Sequence, residues 1–182
     1  MNKDEIDKLL KKLADVYDNL GGPKLTIGIC GGAALSLLGL IDRTTKDIDL
    51  VTPIHLPAEF NQATKVVADE FGLPQNWINQ GPKILAEMGL PEGFEQRAIK
   101  KRYGRKLTEN LASRLDLIFF KTYASVDRGG YHFDDLNKLN PTPDELRQAA
   151  IWCMTHDVSP GFKQMLQEML KVMGHEEVSK SI

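Results

Sequence analysis

Apolar residues open this chain at helical spacing. Ile6, Leu9, Leu10, Leu13, Val16, Tyr17 and Leu20 recur every three or four positions, and Gly21-Gly22 follows as a stop. They predict an amphipathic first helix. The period then changes to two. Leu25, Ile27 and Ile29 alternate with Thr26, Gly28 and Cys30, which predicts a half-buried strand running into the Gly31-Gly32 turn. Ala33 to Leu40 is small and apolar and reads as a short buried helix ending near Gly39. A second strand follows at Asp47-Ile48-Asp49-Leu50-Val51, closed by Pro53. The predicted core is strand, glycine turn, helix, strand.

Leu56 to Phe71 reads as a helix stopped by Gly72. Leu73 to Gly93 carries Pro74, Pro82, Pro91 and several glycines, and is expected to be irregular. Phe94 to Ile99 and Leu107 to Leu111 suggest a hairpin around Tyr103-Gly104-Arg105. From Ser113 the pattern is helical. Ser113 with Asp116 makes an imperfect capping box, and Thr142-Pro143-Asp144-Glu145 makes a full one with proline at the first helical position. Ser159-Pro160 starts what reads as the last helix, ending at Gly174, with Trp152, Phe162, Met165 and Met169 as helical core. The expected fold class is α/β (α+β), a mixed sheet flanked by helices. The expected division is an α/β core over 1–112 and a helical part over 113–182 packed on it.

Composition adds limits. The 182 residues suffice for a real core, and the net charge of −2 gives no global pull on a polyanion, so a nucleic-acid partner would need a local patch. Cys30 and Cys153 are far apart without metal-type spacing, which argues against a disulfide framework and for a reducing, cytoplasmic setting. The charged N-terminal stretch has no signal-peptide core, and no apolar run approaches the ~20 residues of a membrane span.

The chemistry concentrates at Asp47 and Asp49. Residues two apart on a strand share a face, with Cα atoms about 6.5–7 Å apart. Two carboxylates therefore stand together while Ile48 and Leu50 face the core. Divalent ions about 3.5–4 Å apart are a common apparatus for displacement at phosphorus, and paired carboxylates can hold them. A preceding glycine turn lets backbone approach phosphates with no Cβ in the way. Phosphoryl or nucleotidyl transfer on a nucleoside triphosphate is the chemistry indicated. A D-x-D pair on a strand edge can also be only a solvated face.

Gly31-Gly32 followed by Asp47-Ile48-Asp49 resembles the minimal nucleotidyltransferase superfamily, which shares the polymerase-beta-like palm. Arg43, Thr45, Asp47 and Asp49 resemble the Arg-x-Thr-x-Asp-x-Asp pattern of a branch that includes abortive-infection-type nucleotidyltransferase toxins. Lys121 with Ala124, then Arg128, then Asp135-Leu136 resemble a second, looser block of that branch. The resemblance implies Mg²⁺ or Mn²⁺ on Asp47 and Asp49, and an NTP at Gly31, Gly32, Arg43 and Thr45. It also implies that Lys121 reaches the triphosphate or a carboxylate, and that Asp135 pairs with Lys121 or positions the acceptor. The implied acceptor is an RNA such as tRNA, or a protein, in a toxin-like setting with a cognate antitoxin. Many members carry Ser or Thr after the double glycine, where this chain has Ala33-Ala34. Triphosphate binding would then rest on backbone N–H groups and a basic side chain. A catalytically degenerate nucleotide- or protein-binding module is the alternative.

Other positions have two readings. Lys121 lies in an apolar helical run, where it either has an anionic partner or extends to solvent. Asp116 fits a cap better than a third carboxylate. Arg97, Lys100, Lys101, Arg102, Arg105 and Lys106 form a basic cluster around Tyr103, either an RNA-backbone patch or the exposed face of a hairpin. Trp77-Ile78-Asn79 reads as packing, with stacking of the tryptophan on a base as the alternative. His132 and His156 read as ordinary.

Overall fold

A computed structural model describes all of residues 1–182. The chain divides into two units, Met1–Ser113 and Arg114–Ile182. The first is a mixed five-stranded sheet with helices, and the second is wholly helical.

In the first unit α1 (Lys3–Asn19) begins at a capping box. Asn2 accepts from the Glu5 N–H, and the Glu5 carboxylate accepts from the Asn2 N–H. The helical stripe buries Ile6, Leu10, Leu13 and Tyr17 completely. β1 (Leu25–Cys30) leads into α2 (Gly31–Leu37), and β2 (Ile48–Thr52) pairs antiparallel with β1. α3 (Ala58–Phe71) ends at Gly72, whose φ of 63° is the left-handed conformation that glycine adopts at helix ends.

The stretch expected to be irregular contains β3 (Ile78–Asn79) and α4 (Lys83–Met88). The two-residue β3 pairs parallel with β2. It is too short to show a period, and its pairing is possible only once α3 has returned the chain. Trp77 anchors this return: it is 1% exposed and its indole N–H donates to the Thr64 carbonyl at 3.0 Å. Phe94–Arg97 is a short helix, α5, where a strand was expected. Gly93 precedes it at φ 76°, which turns the chain and delays the strand. The hairpin itself is β4 (Ile99–Tyr103) with β5 (Leu107–Leu111). The strand order is β3-β2-β1-β5-β4, with β1 and β5 parallel.

Register assigns the two faces of this sheet. Leu25–Leu107–Tyr103 and Ile27–Glu109–Lys101 form rows on the face under α1. Thr26–Thr108–Arg102 and Gly28–Asn110–Lys100 form rows on the other. Asp7 of α1 meets the first face, accepting from the Tyr103 hydroxyl at 2.8 Å and pairing with Lys101 and Lys11. Those ammonium groups hold the Asp7 carboxyl well below the usual carboxylate range.

Glu109, in the middle of this buried face, is 2% exposed. Burial pushes its carboxyl up to about 7, against the partial relief of the Tyr103 hydroxyl and Lys101. The folded state therefore keeps a proton that the unfolded chain, with its ordinary value of 4.5, has released. The stability this supplies is full below pH 4.5 and is lost as pH rises through 7. Denaturant unfolding should show wild type losing up to roughly 3 kcal/mol between about pH 5 and pH 8. Glu109→Gln should lack that slope. Equal slopes for the two proteins would contradict the assignment to Glu109.

The second unit contains α6 (Arg114–Arg128), α7 (Tyr131–Lys138), α8 (Pro143–His156), α9 (Pro160–Val172) and α10 (Glu176–Ser181). The Thr142 box forms as expected. Arg114 at the start of α6 pairs with Glu145 at 2.6 Å and donates to the Leu139 and Asn140 carbonyls. Trp152 is the hub of the core, in ring contact with Phe119, Phe120, Tyr123 and His156. Two expectations change here. Met165 is 48% exposed, and Leu166 and Leu170 supply the buried stripe of α9. The chain also turns at Gly174 into α10, whose Ser179 hydroxyl donates to the Gln167 carbonyl.

Candidate functional site

The glycine turn lies where β1 ends. Gly31 has φ 66°, a conformation that a side chain strains. A Cβ on Gly31 would stand 2.4 Å from Asp49 Oδ2. A Cβ on Gly32 would stand 2.9 Å from Thr45 Oγ1 and 3.7 Å from Arg43 Nη2. The turn thus packs its bare backbone against Asp49, Thr45 and Arg43. Pairing across the sheet explains the placement, since Cys30 is opposite Asp49 in the β1–β2 register. Thr45 is 7% exposed, and its hydroxyl donates to the Asp47 carbonyl at 3.0 Å, which fixes the loop entering β2. Asp47 and Asp49 are half-buried, while Ile48 and Leu50 between and beyond them are fully buried. All six residues expected at the nucleotide end, Gly31, Gly32, Arg43, Thr45, Asp47 and Asp49, belong to this cluster.

Two further residues join it. Asn79 pairs in register with Asp49, and its amide donates to Asp47 Oδ2 at 3.4 Å. Its Oδ1 accepts from the Gly81 N–H at 2.7 Å. A Cβ on Gly81 would lie 3.0 Å from that oxygen and 3.9 Å from Asp49 Oδ1. Asn79 is therefore a positioning residue for Asp47. Trp77-Ile78-Asn79 reads as packing from the sequence alone, which holds for Trp77 and Ile78. What marks Asn79 is the parallel β2–β3 register, a long-range fact.

The donor set suits a hard divalent cation. Asp47 and Asp49 offer oxygen only, and Mg²⁺ typically takes one or two carboxylates together with substrate phosphates. No group of three or more His, Cys, Asp or Glu side chains forms a metal cage. Asn79→Asp tests the crowding. Without divalent ions the added charge beside Asp47 should destabilise the fold by about 1 kcal/mol, the scale of two like charges at ~4 Å in water. Mn²⁺ should then raise the thermal midpoint of this variant more than that of wild type. An equal Mn²⁺ response would separate Asn79 from the ion site.

Lys121 and Asp135 form their own cluster in the second unit. Lys121 is 3% exposed and Asp135 1%. Lys121 Nζ donates to Asp135 Oδ2 at 2.7 Å, which ties α6 to α7. His132 Nδ1 lies 3.4 Å from the same ammonium, and the Tyr131 ring centroid lies 5.5 Å from it. Lys121 thus has an anionic partner and does not extend to solvent. His132, read as ordinary, and Tyr131 stand three and four residues before Asp135 on one helix face. Asp116 is fully buried in the first turn of α6.

A glycine turn laid against a strand carboxylate, with a second carboxylate just before that strand, on a mixed sheet is a nucleotidyltransferase-like arrangement. The chain belongs to the family described as nucleotidyltransferase of unknown function (DUF6036), which matches residues 4–132. No curated protein and no solved structure matches it. No helix is long and apolar enough to cross a membrane.

Proposed function

We propose that the protein is a metal-dependent nucleotidyltransferase that moves a nucleoside monophosphate from an NTP to an acceptor hydroxyl. The observation that carries this is the approach of Gly31 to Asp49, with Gly32 against Thr45 and Arg43. In this reading the N–H groups of the Gly31–Gly32 turn and the Arg43 guanidinium bind the triphosphate. Thr45 and Asn79 hold Asp47 in place through its carbonyl and carboxylate. Mg²⁺ or Mn²⁺ bound at Asp47 and Asp49 would supply charge neutralisation of the triphosphate and acidify the acceptor hydroxyl. The acceptor oxygen forms a bond to the α-phosphorus as the bond from that phosphorus to the β-bridging oxygen breaks. The hydroxyl proton passes to Asp47 or Asp49 and then to solvent, and pyrophosphate leaves. Lys121 and Asp135 enter the proposal as the pair that sets α6 against α7.

A second reading, a module that binds nucleotide without turnover, is favoured by the neutral Asn79 amide as the neighbour of Asp47, with no third acidic side chain grouped with Asp47 and Asp49. The test is α-phosphate-labelled NTP with Mg²⁺ and RNA or protein acceptors. Label in an acceptor with release of pyrophosphate supports transfer. Metal-dependent binding without label supports the second reading. Neither binding nor label overturns both.

A further inference from the structure

The basic cluster of the hairpin is sorted by the pleat. Lys101 turns to the face under α1, where Asp7 compensates it. Lys100 and Arg102 turn to the opposite face, where no carboxylate pairs with them. On that face a groove of about 290 Å³ is lined by Lys24, Leu25, Thr26, Arg102, Arg105, Lys106 and Thr108. Arg102 is held rather than loose: its guanidinium donates to the Gly104 carbonyl at 3.2 Å and the Arg105 carbonyl at 2.8 Å. Lys24, Thr26, Arg102 and Arg105 are exposed, and Lys106 and Thr108 half-buried. Of the four cations lining the groove, Arg105 alone has a carboxylate nearby, Asp18 at 3.6 Å. A chain of net charge −2 therefore carries a concentrated positive groove.

We propose that this groove binds the phosphodiester backbone of RNA. Its donors are guanidinium, ammonium and hydroxyl groups, which suit phosphate oxygens, and Thr26 and Thr108 can also pair with a 2′-hydroxyl. The row Thr26–Thr108–Arg102 crosses three strands, about 10 Å at the usual strand spacing, so it spans more than one phosphate. Leu25, 9% exposed, is the only apolar lining residue, so the groove offers nothing to insert into a lipid surface. No aromatic side chain lines it, so bases have no stacking platform and binding is insensitive to sequence.

The position relative to Asp49 favours an acceptor role. On β1 the residues Thr26, Gly28 and Cys30 share one face, and Cys30 is paired with Asp49. Groove and carboxylate thus lie on the same face of one sheet, separated along β1 by about 13 Å, or four residues of strand. Calling the RNA an acceptor rests on the transferase reading above, whereas the binding itself does not.

The test is fluorescence anisotropy of a labelled single-stranded 12-mer RNA, without nucleotide or divalent metal, across a salt series. The DNA 12-mer, anionic vesicles and an acidic peptide serve as comparisons. Neutralising three to four phosphates predicts a slope of log K against log salt of about −2 to −3, a loss of roughly 20- to 50-fold from 50 to 200 mM salt. Arg102→Ala should weaken binding and reduce the slope by about 0.7. Lys24→Gln/Lys106→Gln should reduce it by about twice that, and leaves the hairpin bonds of Arg102 intact. Both variants should still bind NTP with Mg²⁺, which separates failure of the groove from failure of the nucleotide site. No RNA binding, a salt slope unchanged in both variants, or DNA, vesicles or peptide bound as tightly as RNA would overturn the proposal.

Discussion

Asp47→Asn/Asp49→Asn is expected to lose metal-dependent NTP binding by at least about 100-fold, or roughly 2.7 kcal/mol, in a calorimetric titration with Mg²⁺. The substitution keeps shape and removes both negative charges. Asn79 can still donate to an amide oxygen at position 47, and the glycine turn keeps its path. A hard cation bound through oxygen, however, loses both anionic ligands. The sign should reverse when metal is withheld. Two carboxylates beside a triphosphate repel it, so the variant should then bind NTP as well as wild type or better. If the variant keeps metal-dependent binding, Asp47 and Asp49 are not the ion ligands. If it unfolds, their role is structural.

Lys121→Met should be the most destabilising of the single substitutions considered, by about 3–5 kcal/mol. The lysine is replaced by an apolar chain of similar length, so packing along α6 changes little. What changes is Asp135, 1% exposed, which loses the ammonium 2.7 Å away. A buried carboxylate deprived of its cation costs far more than the net worth of the pair. Lys121→Met/Asp135→Leu should therefore recover most of the loss, although it removes more polar groups. Chemical denaturation of the single and double variants measures this. A double variant no more stable than Lys121→Met would mean that the surroundings, including His132 and Tyr131, need the pair itself.

Much of the site was legible before any folding. Gly31-Gly32 and Asp47-Ile48-Asp49 are neighbours through two strands and a short helix, so local period and turn chemistry suffice to bring them together. Thr45 and Arg43 came with that block. The Lys121–Asp135 pair could be anticipated from a charge inside an apolar helical run, because such a charge needs a partner. Asn79 could not be anticipated. Its role depends on α3 returning the chain so that a two-residue strand pairs beside β2, and two residues carry no period. The α5 helix at Phe94–Arg97 was missed because a four-residue helix is shorter than a period can resolve.

The amino-acid sequence by itself determined which segments are amphipathic, where the caps and glycine stops fall, and that Asp49 alternates with the buried Ile48 and Leu50 on a strand, whereas Asp47 lies in the loop just before it. These follow from periodicity, backbone sterics and alternation, all local properties. Tertiary structure decided the sheet order, the place of Asn79 against Asp47, the burial of Glu109, and which hairpin cations Asp7 neutralises. Each depends on strand register or on a helix packed over a face. Register is set by contacts distant in sequence, and a one-residue shift would move Arg102 and Lys101 to each other's faces.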